Sequence, residues 1–251
     1  MASNSSIEWT QATWNPVVGC TKISAGCKNC YAEKMALRLF HMGVPQYKQG
    51  FKLNLVPHAL DVPRKWKKRK LVFVNSMSDL FHKDVPLSYI QQVFEVMNDT
   101  PHIYQVLTKR SARLKQLAPF LNWTANIWMG VSVENQKAVS RVADLVDTPA
   151  RIKFLSIEPL IGAIDTLNLD GIDWVIVGGE SGTRARRMEK DWAMAIHYLS
   201  SSKGIPFFFK QWGCKRFNPN PKDPTMNKKN ELYAKGGCEL NGKVYRELPV
   251  F

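Results

Sequence analysis

Apolar residues in this chain gather in short, nearly continuous runs separated by longer stretches of mixed character. The runs lie at residues 71–75, 103–107, 127–133, 152–157, 174–177 and 206–209, and they are mostly β-branched or aromatic. A strand covered on both faces needs such a run, whereas a half-exposed strand would alternate apolar and polar positions. Helical periodicity fills the intervals at residues 87–98, 112–121, 136–146 and 191–202, the last opening on Asp191, a good helix-start residue. With a further strand near residues 14–18, about seven strands alternate with helices. The expected fold class is α/β: a parallel (β/α) barrel, incomplete at six to seven strands, with a doubly wound open sheet as the alternative. Residues 1–213 would form the barrel domain. Residues 214–251 would add a loop and a short C-terminal hairpin turning at Asn241-Gly242.

In a β/α barrel, chemistry collects where strands exit at their C-terminal ends. Here those exits read Asn75-Ser-Met-Ser-Asp79, Thr108-Lys-Arg110, Ser132-Val-Glu-Asn135, Ser156-Ile-Glu-Pro159, Gly178-Gly-Glu-Ser-Gly182 and Lys210-Gln-Trp-Gly213. Ordinary turns favour Gly, Asn, Asp and Ser. Glu134, Glu158, Glu180 and Lys210 are not turn residues, and their position right at strand exits predicts one shared polar cleft.

Three thiols, Cys20, Cys27 and Cys30, stand within eleven residues, after the first strand and before a helix beginning near Tyr31. Five cysteines in 251 residues are too sparse, and odd in number, for a disulfide framework. The polar stretch 1–8 carries no apolar signal segment, so the expected location is a reducing cytoplasm, where thiols serve metals or catalysis. Zinc wants four ligands, and His41 is the candidate fourth. It falls about 15 Å along the helix axis at 1.5 Å per residue. A [4Fe–4S] cluster is the preferred reading: three thiolates would leave one iron open for S-adenosylmethionine (SAM).

Charge widens the picture. The chain carries a formal charge of +14 and a pI near 9.6, which points to a polyanionic partner, most simply nucleic acid. No apolar run approaches a membrane span. The basic run Arg64-Lys-Trp-Lys-Lys-Arg-Lys70 precedes a strand and belongs on the closed face. Lys109, Arg110, Arg113, Arg184, Arg186, Arg187, Lys215 and Arg216 follow strands and are expected to rim the open face, with Trp212 and Phe217 as candidate base-stacking partners or core residues.

The segments Ile7-Glu-Trp-Thr10, Trp14-Asn-Pro16, Gly19-Cys20, Cys27-Lys-Asn-Cys-Tyr-Ala-Glu33, Asn75-Ser-Met-Ser-Asp-Leu-Phe81 and Trp174-Val-Ile-Val-Gly-Gly-Glu-Ser181 resemble, over nearly the whole chain, the radical SAM enzymes. More closely, they resemble a family of small phage and bacterial proteins of radical-SAM-like character and unknown function, which would make the cytoplasm that of a bacterial host cell. The claw departs from the usual Cys-x3-Cys-x2-Cys spacing: its first gap is six residues, and Asn29 replaces the aromatic before the third cysteine. The resemblance implies that Cys20, Cys27 and Cys30 bind the cluster. Ser76, Ser78 and above all Asp79 would meet the SAM amino group, and Ser132 and Glu134 its ribose or methionine. Gly178 and Gly179, beside Glu180, would clear space for adenine. A 5′-deoxyadenosyl radical would then abstract hydrogen from substrate, with Cys214, Lys210 and Glu158 as candidate catalytic groups and Cys238 left in the terminal hairpin. Residues 215–231, rich in Pro and Asn, suggest a flexible lid or an ordinary surface loop. The expected substrate is a nucleic acid base, DNA before RNA, or a nucleotide. Isomerisation of a modified thymine in phage DNA is the specific expectation, and flavodoxin or ferredoxin the electron donor. A thymine-lesion lyase, or a non-catalytic nucleic-acid-binding protein holding zinc or a structural cluster, is the alternative.

Overall fold

The computed structural model describes Ser5 and residues 7–250. Seven strands form one sheet: β1 (Ala12–Trp14), β2 (Leu71–Val74), β3 (Ile103–Thr108), β4 (Ile127–Ser132), β5 (Ile152–Ile157), β6 (Trp174–Gly178) and β7 (Phe207–Gln211). Their spatial order is their sequence order, and every neighbouring pair is parallel. A doubly wound sheet would reverse its strand order at a switch point; this one never does. The sheet is curled but open, with β1 and β7 as its edges, so the incomplete barrel is the architecture found.

Helices α1 (Tyr31–His41), α2 (Leu87–Asn98), α3 (Ser111–Leu117), α4 (Arg141–Val146) and α5 (Lys190–Ser202) connect the strands. Strand side chains alternate between two separate cores. Val72, Val74, Val106, Met129, Val131, Leu155, Val175, Val177 and Phe209 pack outward, in one cluster with helix residues such as Ile90, Leu114, Leu145 and Ile196. Phe73, Ile103, Trp128, Phe154, Trp174, Ile176 and Phe208 face inward, gathered around Trp9. The Trp9 ring lies 4.7 Å from Phe73 on β2 and 6.2 Å from Trp174 on β6. One indole touching strands so far apart in the sheet requires a concave face. Gly130 belongs to this packing, because a Cβ there would sit 2.5 Å from the Phe154 ring.

The expected boundaries shift where proline or hydrogen-bond supply dictates. The segment at residues 14–18 divides at Pro16, which has no N–H for a ladder: β1 joins the main sheet, while Val17–Val18 pairs antiparallel with Asn54–Leu55. The helix expected over 112–121 runs from Ser111 to Leu117 and tightens into a 3-10 turn at Ala118–Phe120, where Pro119 cannot donate. The helix expected over 136–146 is a 3-10 turn at Gln136–Ala138 followed by α4.

Asn241 (φ 53°) and Gly242 (φ 77°) make the tight turn between Glu239–Leu240 and Lys243–Val244 as expected. Beyond it the chain lies along β7: the Phe209 amide donates to Tyr245 O at 3.1 Å, and the Trp174 indole to Glu247 O at 2.9 Å. An edge strand is thereby covered. Cys238 is fully buried in the outer core.

Trp174→Ala is expected to cost about 3–5 kcal/mol by emptying the inner core, measured by denaturant unfolding. His197 on α5 packs against Phe207 and Tyr245; burial pulls its pKa below the ordinary value, and its buried Nδ1 has no partner to accept a proton's bond. Since the unfolded chain binds that proton more readily, stability is expected to fall as pH drops below about 6.5. A His197→Leu variant should show a shallower fall in thermal midpoint between pH 7 and 5.

Candidate active site

A cleft of about 250 Å³ opens at the C-terminal ends of the strands, and all three thiols of the claw line it. Its other walls come from the exits of β2 through β7, including Asn75, Asp79, Lys109, Ser132, Glu158, Glu180 and Lys210, with Trp9 and Phe73 of the inner core among its lining. The cysteine loop has little regular structure and is held from outside. Gly19 (φ 78°) donates to Met77 O at 3.0 Å, and a Cβ there would meet Lys52 O at 2.1 Å, so only glycine passes. The Cys20 amide donates to Phe51 O at 3.1 Å. Cys30 is the N-cap of α1, where the helix dipole favours anionic groups. Tyr31 Oη donates to the Ser76 carbonyl. All five cysteines are reduced.

Three buried carboxylates, at the exits of alternate strands, fasten this loop. After β2, Asp79 accepts from Thr108 Oγ1 at 2.7 Å and from the amides of Phe81 (3.0 Å) and Lys109 (3.1 Å). The Arg110 Nε lies 3.7 Å from it, and the far end of that guanidinium donates to Thr21 O and Oγ1, each at 3.0 Å. After β4, Glu134 is 1% exposed; it accepts from Ser24 Oγ at 2.6 Å and from Arg141 at 2.9 Å. Gly26 lies over it so closely that a Cβ would stand 2.5 Å from the Glu134 side chain. After β6, Glu180 accepts from Asn29 Nδ2, from the Arg186 amide and from both ends of the Arg186 guanidinium, whose Nη1 reaches Ala25 O at 2.9 Å. Burial alone would push the Glu180 carboxyl up, but its bonds to Arg186 and Asn29 outweigh that and hold it below the usual range.

The far end of the cleft is different. Glu158 and Lys210 form an ion pair at 3.1 Å, with Ser156 Oγ 3.3 Å from the same carboxylate. Burial works against charge on Lys210, yet Glu158 keeps its pKa above the ordinary value. Four cleft residues carry buried polar atoms without a protein partner: Trp9 Nε1, Asn75 Nδ2, Ser132 Oγ and Gln211 Oε1. Asn75 also takes a left-handed backbone (φ 60°), rare outside glycine.

Several expected roles change. Glu134 does not line the cleft; it lies beneath Gly26 and serves the cysteine loop. Asp79 does line it, but three donors already occupy its oxygens. The Ser76 and Ser78 hydroxyls donate to Asn15 Oδ1 (3.2 Å) and Val17 O (2.7 Å). Gly179 lines the cleft, and the Trp212 carbonyl stands 2.3 Å from where its Cβ would be; at Gly178 a Cβ would meet Glu158 and Lys210, so both glycines also let the protein's own chain pack closely. Cys214 is absent from the cleft lining, because Gly213 (φ 79°) turns the chain aside to bond Lys235 O. Residues 215–231 do not cover the cleft either. They fold on buried Asp223, which accepts from Asn218, from Thr225 and from the Glu239 amide.

The rim cations are mostly spoken for. Lys109 stands 3.6 Å from Glu134, Arg113 donates to the Lys83 and Val85 carbonyls, and Arg110 and Arg186 turn inward. Arg184, Arg187, Lys215 and Arg216 stay exposed; Arg187 pairs with Glu189, and Arg216 stacks on Phe217 at 4.6 Å. Trp212 is core, packed on Phe209 and donating to Glu239 O. His41 is exposed at the end of α1. Sequence reading missed Ser24 and Arg141, and it quoted Trp9, Asn29, Asn75 and Gln211 within motifs or strand exits without giving them a role of their own. No spacing rule flags them, since their partners come from strands far apart in sequence.

Fold and site together define an α/β partial-barrel protein with a three-thiol cleft at the strand exits. Residues 4–249 match the family described as "Protein of unknown function (DUF5131)", and the chain belongs to that family. No curated protein and no solved structure matches it.

Removing Glu134 leaves Arg141 buried beside no counter-charge. Glu134→Ala is expected to cost about 3–5 kcal/mol and to speed amide exchange across residues 20–30, read by hydrogen–deuterium exchange. Glu134→Gln, which keeps an acceptor for Ser24, should cost less on both measures.

Proposed function

We propose that this protein is a radical SAM enzyme that modifies a nucleic acid base or nucleotide. The observation that carries the reading is the convergence of Cys20, Cys27 and Cys30 on one cleft at the strand exits. The donor set fits a cluster: three soft thiols face the cleft, while Asp79 and Glu180 have their oxygens engaged elsewhere. Among the described residues no group of three His, Cys, Asp or Glu side chains is gathered to hold a metal ion, so the reading rests on the donor chemistry of the three thiols, with His41 exposed at the far end of α1. A four-iron cluster instead spreads its thiolates over separate irons. Bound there with SAM, it would supply reductive cleavage to methionine and a 5′-deoxyadenosyl radical.

The chain's own part is binding, orientation and exclusion of water. The charged residues lining the cleft are Asp79, Glu158 and Glu180 against Lys109 and Lys210, a balance that suits a cationic sulfonium and a neutral base better than a phosphate. Asn75, Ser132 and Gln211 offer unfilled donor and acceptor positions. Lys210, held as a cation by Glu158, serves as a fixed electrostatic partner rather than a proton acceptor. Phosphates would stay outside on exposed Arg184, Arg187, Lys215 and Arg216, with the base extruded inward if the substrate is duplex DNA. Isomerisation of a modified thymine in phage DNA is the specific reading, with thymine-lesion repair as its relative. Exposed Ile23, Tyr31, Met35 and Met42, flanked by Lys22, Lys28 and Arg38, form a surface suited to an acidic electron donor such as flavodoxin or ferredoxin. No helix among the described residues is long and apolar enough to cross a membrane.

The test is anaerobic reconstitution with iron and sulfide, then SAM and dithionite, with 5′-deoxyadenosine read by mass spectrometry in the presence of thymidine-containing DNA. Cleavage is expected, falling to background in Cys27→Ala. A protein that takes stoichiometric zinc and no cluster would instead be a binding module.

A further inference from the structure

The claw has two arginines beside it, and they are not equivalent. Arg186 gives both ends of its guanidinium to Glu180 and reaches the loop only through Nη1 on the Ala25 carbonyl. Arg110 has the looser hold on its carboxylate, with Nε 3.7 Å from an Asp79 that three other donors already satisfy. Its Nη2 stands 3.7 Å from Cys20 Sγ, within hydrogen-bonding distance for sulfur, and is steadied by Thr21 O and Oγ1 at 3.0 Å. Thr21 Oγ1 is itself held 2.9 Å from buried His82 Nε2. The Arg110 side chain is 11% exposed, so solvent screens it little, and a guanidinium stays charged at any working pH.

We propose that Arg110 is a positioning residue that sets the reduction potential of the group held by Cys20. The inference rests on the cluster reading above. A one-electron reduction adds a negative charge beside the cation, and a hydrogen bond to the ligating sulfur disperses it. Both effects stabilise the reduced form and raise the potential. The electron comes from an external one-electron donor, and no proton is moved. Among the described residues no other cation donates to a thiol of the claw: Lys22, two residues from Cys20, is paired with Glu33 at 2.7 Å, and Lys28, beside Cys27, is exposed.

The experiment is a dithionite titration of the reconstituted protein, monitored by electron paramagnetic resonance, in wild type, Arg110→Gln and Arg110→Lys. Arg110→Gln is expected to lower the reduced-to-oxidised ratio at fixed potential about tenfold, a downward midpoint shift of about 59 mV for one electron. Arg110→Lys, which keeps the charge, should recover most of it. An unchanged midpoint in Arg110→Gln, or equal shifts in both variants, overturns the proposal while leaving the cluster assignment standing. If Arg110→Gln fails to retain a cluster, Thr21→Val releases the guanidinium from its hydroxyl anchor and should shift the midpoint in the same direction by less; no shift there overturns it too. A wild-type protein that accepts no cluster defeats the enzyme reading itself, a separate result.

Discussion

Asp79, Glu134 and Glu180 are all buried, at 6%, 1% and 5% exposure, and a buried carboxylate must be compensated where it stands. Each lies at the exit of an alternate strand, and each finds compensation through the cysteine loop or through an arginine that also grips that loop. The consequence runs one way: a loop of eleven residues with almost no regular hydrogen bonding acquires a fixed shape because three charges would otherwise be stranded. Thr21, Ser24, Ala25 and Asn29 are the points where it is caught, three of them between Cys20 and Cys27 and one between Cys27 and Cys30. A preformed claw needs less ordering on loading than a floppy one, which is the advantage of preorganisation in any binding site.

The layer beneath explains how the carboxylates come to be level with one another. Parallel strands in sequential order place their exits in one row, and the packing of Trp9, Phe73, Trp128, Phe154 and Trp174 fills the concave face below that row. Large aromatic side chains keep the interior dry and set how tightly the sheet can curl. The polar residues then begin one or two positions above it, at Asn75, Ser132, Ser156 and Glu158, lining the cleft. Trp9 belongs to both levels, which makes it both the floor of the cleft and the post around which the sheet bends.

Much of this was legible before any coordinates. Nearly continuous apolar runs mark the strands because both faces are covered, and the run at residues 152–157 and the helix at 87–98 match the observed elements end to end. The polar exits and the thiols together marked the cleft. Roles were less readable than places. Glu134 and Asp79 look like ligand-binding residues in sequence, since an acid at a strand exit is chemically the same whether it meets a ligand or a neighbouring loop. Only the distance to Ser24 or Thr108 decides, and those partners lie 110 and 29 residues away. Gly178 and Gly179 are ambiguous for a related reason: a missing side chain clears space, and the sequence does not say whose atoms fill it.

The net charge of +14 invites a reading in which cations crowd the active site, and the arrangement is otherwise. The arginines nearest the cleft are spent on buried carboxylates and on loop carbonyls, and the acids lining the cleft outnumber the ammonium groups that line it. Excess positive charge is left on the outer rim, where, under the proposed function, it would draw a polyanion to the protein without entering the cleft. On that proposal, long-range attraction and short-range selectivity would fall to different residues. A cleft floor built of aromatic rings, with unfilled amide and hydroxyl positions above it, offers a ligand shape and hydrogen-bonding positions rather than net charge.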